Sequence, residues 1–119
     1  IIAFGSFMAD GTYNVIPDKV HLKGTMRTFD ENERKLIKSK IKRISSDIAK
    51  SFGVKSRVKI DEGYPVLIND VDFTKSLRNN AMDFLGEDNV KPLPQLMTAE
   101  DFAWYSHKVK ACMCRMGTT

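Results

Sequence analysis

The first thirty residues alternate between apolar and polar side chains in the manner of two β-strands. Residues 1–8 are rich in aromatic and β-branched side chains and run into the turn signal Asp10-Gly11, which predicts that a strand ends there. From Val20 onward, apolar or small side chains alternate with mostly polar ones, so residues 19–29 are predicted to form a second strand. Its apolar face holds Val20, Leu22, Gly24, Met26 and Thr28, and its polar face holds His21, Lys23, Thr25, Arg27 and Phe29.

A long amphipathic helix is predicted after the second strand. Its apolar residues recur at spacings of 4, 3, 4 and 4, which places them on one stripe of the helix. They are Ile37, Ile41, Ile44, Ile48 and Phe52. Asp30 followed by Glu33 is an acidic variant of the capping box, and Gly53 is a typical helix stop.

The remaining residues predict three further strands and two further helices. The strands are expected at 54–60, 90–93 and 109–116. A helix capped by Asn69 or Asp70 is expected to end at Gly86, and a short one to run from Ala99 to about His107 after a Thr98 cap. The chain is therefore predicted to be α+β.

Charge divides the chain into two parts. Residues 1–60 carry 13 Lys and Arg against 6 Asp and Glu, whereas residues 61–119 carry 6 against 9. The two predicted units are accordingly 1–62 and 63–119. A chain of 119 residues with 42% hydrophobic content can form one modest core, and no apolar run is long enough for a membrane span, so no membrane partner is expected.

Two residues of the first unit have the chemistry to bind an anion. Pro17 restricts its own φ and that of Ile16, so the turn that contains Asn14 is expected to be well defined. Arg27 lies on the polar face of the second strand, where its guanidinium could bind a carboxylate with two parallel hydrogen bonds. The alternatives are that Arg27 is a solvated surface residue and that Asn14 bonds its own backbone.

Metal-ligating side chains are sparse. His21 and His107 are the only histidines, and neither has a second ligand at a plausible spacing, so no metal site is predicted within the chain. Cys112 and Cys114 are expected to be reduced, which is consistent with a cytoplasmic protein.

Four segments resemble the metal-dependent amidohydrolases of the aminoacylase type, which include N-acyl-amino-acid amidohydrolases, hippurate hydrolase, auxin-conjugate hydrolases and diaminopimelate deacetylases. They are Gly5-Ser-Phe7, Gly11-Thr-Tyr-Asn-Val-Ile-Pro-Asp18, Gly24-Thr-Met-Arg-Thr-Phe-Asp30 and Met97-Thr-Ala-Glu-Asp-Phe-Ala103. They occur in the family's order. Thr98 and Ala99 depart from the usual Gly-Ser pair, and Lys110 stands where relatives often have proline.

The resemblance implies a fold and a place within a larger enzyme. In that family a ferredoxin-like lid is inserted into a metal-binding catalytic domain. Residues 1–62 would then be an incomplete two-layer lid (β-β-α-β) that also serves dimerisation, and residues 63–119 an α/β segment of the catalytic domain. The chain is expected to be a fragment that lacks the lid's first β-α pair. It would be inactive alone, because most of the family's metal ligands lie outside the matched segments.

The resemblance also implies roles for individual residues. Asn14 and Arg27 would hold the substrate's carboxylate, and Glu100 and Asp101 would lie on a loop beside the active site. The substrate would be an N-acyl amino acid or a small peptide. The parent enzyme would use a divalent metal, zinc or manganese, and form a homodimer through the lid.

A different function class remains open from the residues alone. Lys35, Lys38, Lys40, Lys42, Arg43 and Lys50 could form the basic face of a small α+β nucleic-acid-binding module. Against this, the basic residues are scattered around the helix and the strands lack paired aromatics for base stacking. No nucleic-acid partner is therefore expected.

Overall fold

The computed structural model describes residues 1–117 and begins with an antiparallel β-hairpin. β1 (Ile2–Ala9) pairs with β2 (Val20–Met26) from Ala9 opposite Val20 to Ile2 opposite Met26. The loop between them spans residues 10–19. Both predicted strands are confirmed, although the second is shorter than expected.

A close approach of the two strands explains one glycine of the hairpin. Phe4 lies opposite Gly24, and the register shifts between Phe4 and Ser6 as in a β-bulge. A Cβ at Gly24 would overlap the carbonyl oxygen of Ala3 and approach the Phe4 ring within 2.9 Å. Only glycine fits at this position without moving β1.

The predicted long helix is confirmed at both ends. α1 spans Glu31–Ser51, and the Asp30 carboxylate accepts a hydrogen bond from the Glu33 N–H at 2.8 Å. At the other end Gly53 has φ +68°, and the N–H groups of Gly53 and Val54 donate to carbonyls of the last helical turn. These bonds form a Schellman motif, the glycine-based C-terminus that the sequence predicts.

The second half of the chain contains two further helices. α2 spans Val71–Leu85; Asp70 caps it by accepting from the Phe73 N–H, and Gly86 ends it, followed by a single 3-10 turn at Glu87–Asn89. α3 spans only Ala103–Ser106, so the prediction of a helix from Ala99 to His107 was too long. Thr98 does not cap α3, which begins after Phe102 with no side-chain cap.

The three later strands were predicted wrongly. Residues 54–60, 90–93 and 109–116 form no strand within the described part of the chain. A segment becomes a strand only when a neighbour pairs with its backbone, and β1 and β2 pair only with each other. The α+β class is therefore confirmed, but the β-β-α-β arrangement is not observed.

The described residues bury few side chains. Only Ala49, Ala103 and Ala111 are buried among apolar residues, and α1 does not pack against the hairpin, so the expected two layers and modest core are not formed. The radius of gyration is 21.4 Å, against about 13.5 Å for a compact domain of this length. The chain is thus elongated, with apolar faces on the hairpin and on both long helices open to contact.

The proposed boundary between residues 1–62 and 63–119 remains a prediction, and residues 118–119 of the second unit lie outside the described part. Hydrogen bonds cross this boundary, among them those from Arg27 to Met97 and from Arg34 to Tyr64. None of the helices within residues 1–117 is sufficiently long and apolar to span a bilayer.

Candidate substrate-binding site

Arg27 lies at the open end of the hairpin, directly after β2. Its backbone extends the pairing of the strands, because the Arg27 N–H donates to the Ile1 carbonyl at 2.9 Å and the Ile1 nitrogen donates to the Arg27 carbonyl at 2.8 Å. The guanidinium Nη1 donates to the Met97 carbonyl. Two segments separated by 70 residues in sequence are thereby joined by this side chain.

The Met97 contact brings together two of the motif segments found in the sequence. Arg27 belongs to the third segment, and Met97 opens the fourth, which also carries Glu100 and Asp101. A guanidinium has five N–H donors, so one bond to a carbonyl leaves capacity for a second, anionic partner. Arg27 is exposed, which makes it accessible to such a partner.

Asn14 lies in the loop at the opposite end of the hairpin. The loop contains a turn in which the Val15 N–H donates to the Thr12 carbonyl at 3.0 Å. The Thr12 hydroxyl donates to Asn14 Oδ1 at 2.9 Å, so the side chain is held by a neighbouring side chain rather than by its own backbone.

Asn14 and Arg27 are therefore not brought together within one chain. Seven residues of extended chain separate Val20 from Arg27, which corresponds to about 24 Å along the hairpin. A single small anion cannot contact both side chains at this separation. The assignment of either residue to substrate binding stays a prediction.

The two acidic residues of the 97–103 segment have different surroundings. Glu100 is half-buried, and its carboxylate lies 3.9 Å from Arg115 Nη2. Asp101 is exposed, and its carbonyl accepts from the Trp104 N–H at the start of α3. Their predicted place beside an active site remains a prediction.

A second group of polar contacts was not predicted from the sequence. The Glu31 carboxylate accepts from the Val66 N–H and from Arg34 Nη1, both at 3.0 Å. Arg34 Nη1 also donates to the Tyr64 carbonyl at 2.9 Å, and His107 Nε2 lies 2.8 Å from the Val66 carbonyl. Since a carbonyl can only accept, the His107 Nε2 carries the proton.

The ion pair within this group had a signal in the sequence, because Glu31 and Arg34 are three residues apart on one helix. No pattern in the sequence indicates their backbone partners, Val66 and Tyr64. Partial burial by itself would raise the pKa of Glu31, but the hydrogen bonds from Val66 and Arg34 and the charges of Arg34 and His107 outweigh it, so the pKa is lowered.

No metal site is formed within residues 1–117. No group of three or more His, Cys, Asp or Glu side chains in this part of the chain is placed to hold a metal ion. His21 is exposed on β2, and His107 uses Nε2 on a carbonyl. The described residues therefore do not fit a metal, and no metal-dependent step can be derived from them.

Comparison with known proteins decides the family. The sequence profile of peptidase family M20/M25/M40 matches residues 3–119, which is nearly the whole chain. The chain belongs to this family. The resemblance carried by the four motif segments is thereby confirmed.

The curated relatives of this M20 chain include hydrolases. A putative amidohydrolase of Bacillus subtilis is 36% identical over 110 residues, which cover 92% of this chain and 28% of the relative. The N-acetyl-L-cysteine deacetylase of the same organism is 33% identical over 118 residues, or 99% of this chain and 28% of the relative. An uncharacterized hydrolase of Staphylococcus saprophyticus is 35% identical over 106 residues, or 89% and 27%.

The M20 chain thus spans little more than a quarter of the length of these relatives. No solved structure matches it significantly. Neither the comparisons nor the contacts described above support the alternative of a nucleic-acid-binding module.

Proposed function

We propose that this chain is part of a longer metal-dependent hydrolase that cleaves the amide bond of N-acyl amino acids or small peptides. The chain would contribute recognition of the substrate's carboxylate and dimerisation rather than the hydrolytic step. Family membership and the amidohydrolase and deacetylase names of the relatives support the reaction class.

The contact between Arg27 and Met97 is the single observation that carries the recognition role. It fixes one edge of an exposed guanidinium against the 97–103 segment and leaves the other donors free for a carboxylate. Such charge-assisted, two-pronged hydrogen bonds favour an anionic end group over a neutral one. Glu100 and Asp101 would lie beside the bound substrate on the same segment.

The divalent metal, zinc or manganese, would be held by parts of the hydrolase outside residues 1–117, and it would supply the hydrolytic chemistry when bound. The exposed apolar faces of the hairpin and of α1 fit a role in which other parts of the lid and a second subunit cover them. Separation of residues 1–62 from 63–119 would follow the division between lid and catalytic domain.

The test uses the full-length hydrolase with a panel of N-acetyl-L-amino acids, N-acetyl-L-cysteine included, and the matching carboxamides. The wild type should hydrolyse at least one acid and prefer it to its amide. Arg27→Ala should raise KM for the acid about tenfold to a hundredfold, because a hydrogen bond to a charged group is lost, and should abolish the preference.

Arg78→Ala is the matched control, since Arg78 is exposed on α2 and makes no ion pair within residues 1–117. Its kinetics should equal those of the wild type. Hydrolysis of none of the acids would refute the reaction class. An unchanged preference in Arg27→Ala would refute the recognition role alone.

A further inference from the structure

The segment of residues 64–68, here called the bridge, is hydrogen-bonded on two sides. On one side Glu31 and Arg34, at the start of α1, bind the Val66 N–H and the Tyr64 carbonyl. On the other side the end of α3 binds it: His107 Nε2 contacts the Val66 carbonyl at 2.8 Å, and the Ile68 N–H donates to the Ser106 hydroxyl at 3.4 Å. The bridge therefore links α1 to α3.

The Glu31–Arg34 pair is better sheltered than the exposed Lys59–Asp61 pair. The Arg34 side chain is 17% exposed, whereas Lys59 and Asp61, which form a separate pair, are each about 80% exposed. Exposed pairs contribute little to structure, because solvent screens them and flexible side chains resist ordering. The Glu31–Arg34 pair instead binds two backbone groups of the bridge in a defined geometry.

Two of these three elements adjoin, along the chain, the residues of the Arg27–Met97 contact. Arg27 precedes Glu31 by four residues, and Met97 precedes the first residue of α3 by six. Arg27 and Met97 contact each other, and their flanking helices are joined through the bridge. These contacts thus form a closed ring, in which the bridge fixes the distance between the start of α1 and the end of α3.

We propose that Glu31 and Arg34 are positioning residues for Arg27. By binding the bridge they hold the start of α1 at a fixed place relative to α3, and so keep the Arg27 guanidinium on the Met97 carbonyl with its remaining donors turned to the substrate. Neither residue contacts the substrate itself. This inference rests on the proposed function, since it assigns a purpose to the placement of Arg27.

The test is a double-mutant cycle in the full-length hydrolase. Glu31→Ala should raise KM for the best N-acetyl amino acid about tenfold, with kcat within about twofold and the matching carboxamide unaffected. Glu31→Gln, which keeps an oxygen for the Val66 N–H, should restore part of the loss. In the Arg27→Ala background, Glu31→Ala should have no further effect, because the two act through the same contact.

Other outcomes overturn the inference. If Glu31→Ala raises KM equally for the acid and the amide, the role of Glu31 is merely structural. The same conclusion follows if its effect on KM adds to that of Arg27→Ala. If Glu31→Ala fails to fold, Glu31→Gln and Arg34→Lys are measured in its place. Arg34→Lys keeps the positive charge but loses the planar set of donors. Glu33→Ala, on the same turn and exposed, is the control and should behave as wild type.

The two proposals can fail separately. Loss of the acid preference in Arg27→Ala without any effect of Glu31→Ala would leave the proposed function standing and refute only the positioning role. An unchanged acid preference in Arg27→Ala would refute the recognition role before the cycle is interpreted.

Discussion

Asn69 binds the backbone of Met113 with both ends of its side-chain amide. Its Nδ2 donates to the Met113 carbonyl at 3.1 Å, and its Oδ1 accepts from the Met113 N–H at 2.9 Å. The adjacent Asp70 N–H donates to the Ala111 carbonyl at 2.8 Å. The amide therefore acts like a peptide group of a neighbouring strand and ties the entrance of α2 to residues 111–113.

Replacing this amide should loosen the tie. Asn69→Ala removes two hydrogen bonds and is expected to lower the free energy of unfolding by about 1–2 kcal/mol, since the exposed Met113 groups can partly rehydrate. Hydrogen exchange at residues 111–113 in the full-length hydrolase measures the effect locally. Asn79→Ala, on the exposed surface of α2, is the control. Equal exchange in both variants would contradict the prediction.

The close approach at Gly24 gives a second prediction. Gly24→Ala should distort β1, because the new Cβ would overlap the Ala3 carbonyl, and should weaken the hairpin by about 1–3 kcal/mol. The distortion lies three residues before Arg27, so KM for N-acetyl amino acids should rise as well. Gly5→Ala is a matched control in the same hairpin, since its Cβ would meet nothing within 4 Å. Similar stabilities of the two variants in urea would refute the argument.

Acidification should remove the contribution of the Glu31 charge to the free energy of unfolding. Its pKa in the folded state lies below the ordinary value of 4.5, so its charge stabilises the folded state above that pH, and the stabilisation is lost as the pH falls through the lowered folded pKa. After allowance for solvent screening, this stabilisation should be under about 1 kcal/mol.

The measurement compares wild type with Glu31→Gln by urea unfolding from about pH 7 to about pH 3. The difference in free energy should be constant at neutral pH and shrink toward the acid end. Glu33→Gln is the control on the same helical turn, because Glu33 makes no ion pair within residues 1–117. If the difference in free energy of unfolding between wild type and Glu31→Gln grows on acidification, the predicted direction of the pH dependence is wrong.

The two long helices, α1 and α2, were predictable because their signals are local. Asp30 and Asp70 each bond an N–H three residues later, and Gly53 and Gly86 adopt positive φ at the helix ends, so neighbouring residues suffice to define both helices. The hairpin was predictable for the same reason. Residues 54–60 show the opposite case, since their apolar alternation forms a strand only if a distant segment pairs with it.

The candidate site divides in the same way. Motif segments identified Arg27 and the 97–103 segment separately, but nothing in the spacing indicated that the guanidinium would reach the Met97 carbonyl 70 residues later. The Glu31–Arg34 pair follows from helical spacing, whereas its binding of the Tyr64 and Val66 backbone groups depends on tertiary placement. Residues of every type carry backbone hydrogen-bonding groups, so the identity of a side chain does not indicate which backbone group will be a partner.

The separation of Asn14 from Arg27 leads to a prediction about two subunits. If both residues bind one carboxylate, one must come from each subunit of the proposed dimer, since they lie at opposite ends of a hairpin whose strand from Val20 to Arg27 is about 24 Å long. Asn14→Ala and Arg27→Ala homodimers should then each bind substrate poorly. Mixed dimers would contain one site with both defects and one intact site.

Co-refolding equal amounts of the two variants tests this arrangement. Random pairing produces mixed dimers in half of the population, so the mixture should recover about one quarter of the wild-type activity. Mixing Arg27→Ala with the Asn14→Ala/Arg27→Ala double variant forms no intact site and should recover nothing. Activity equal to the mean of the two single variants would mean that Asn14 does not share a site with Arg27 across subunits, and would leave Arg27 as the carboxylate ligand on its own.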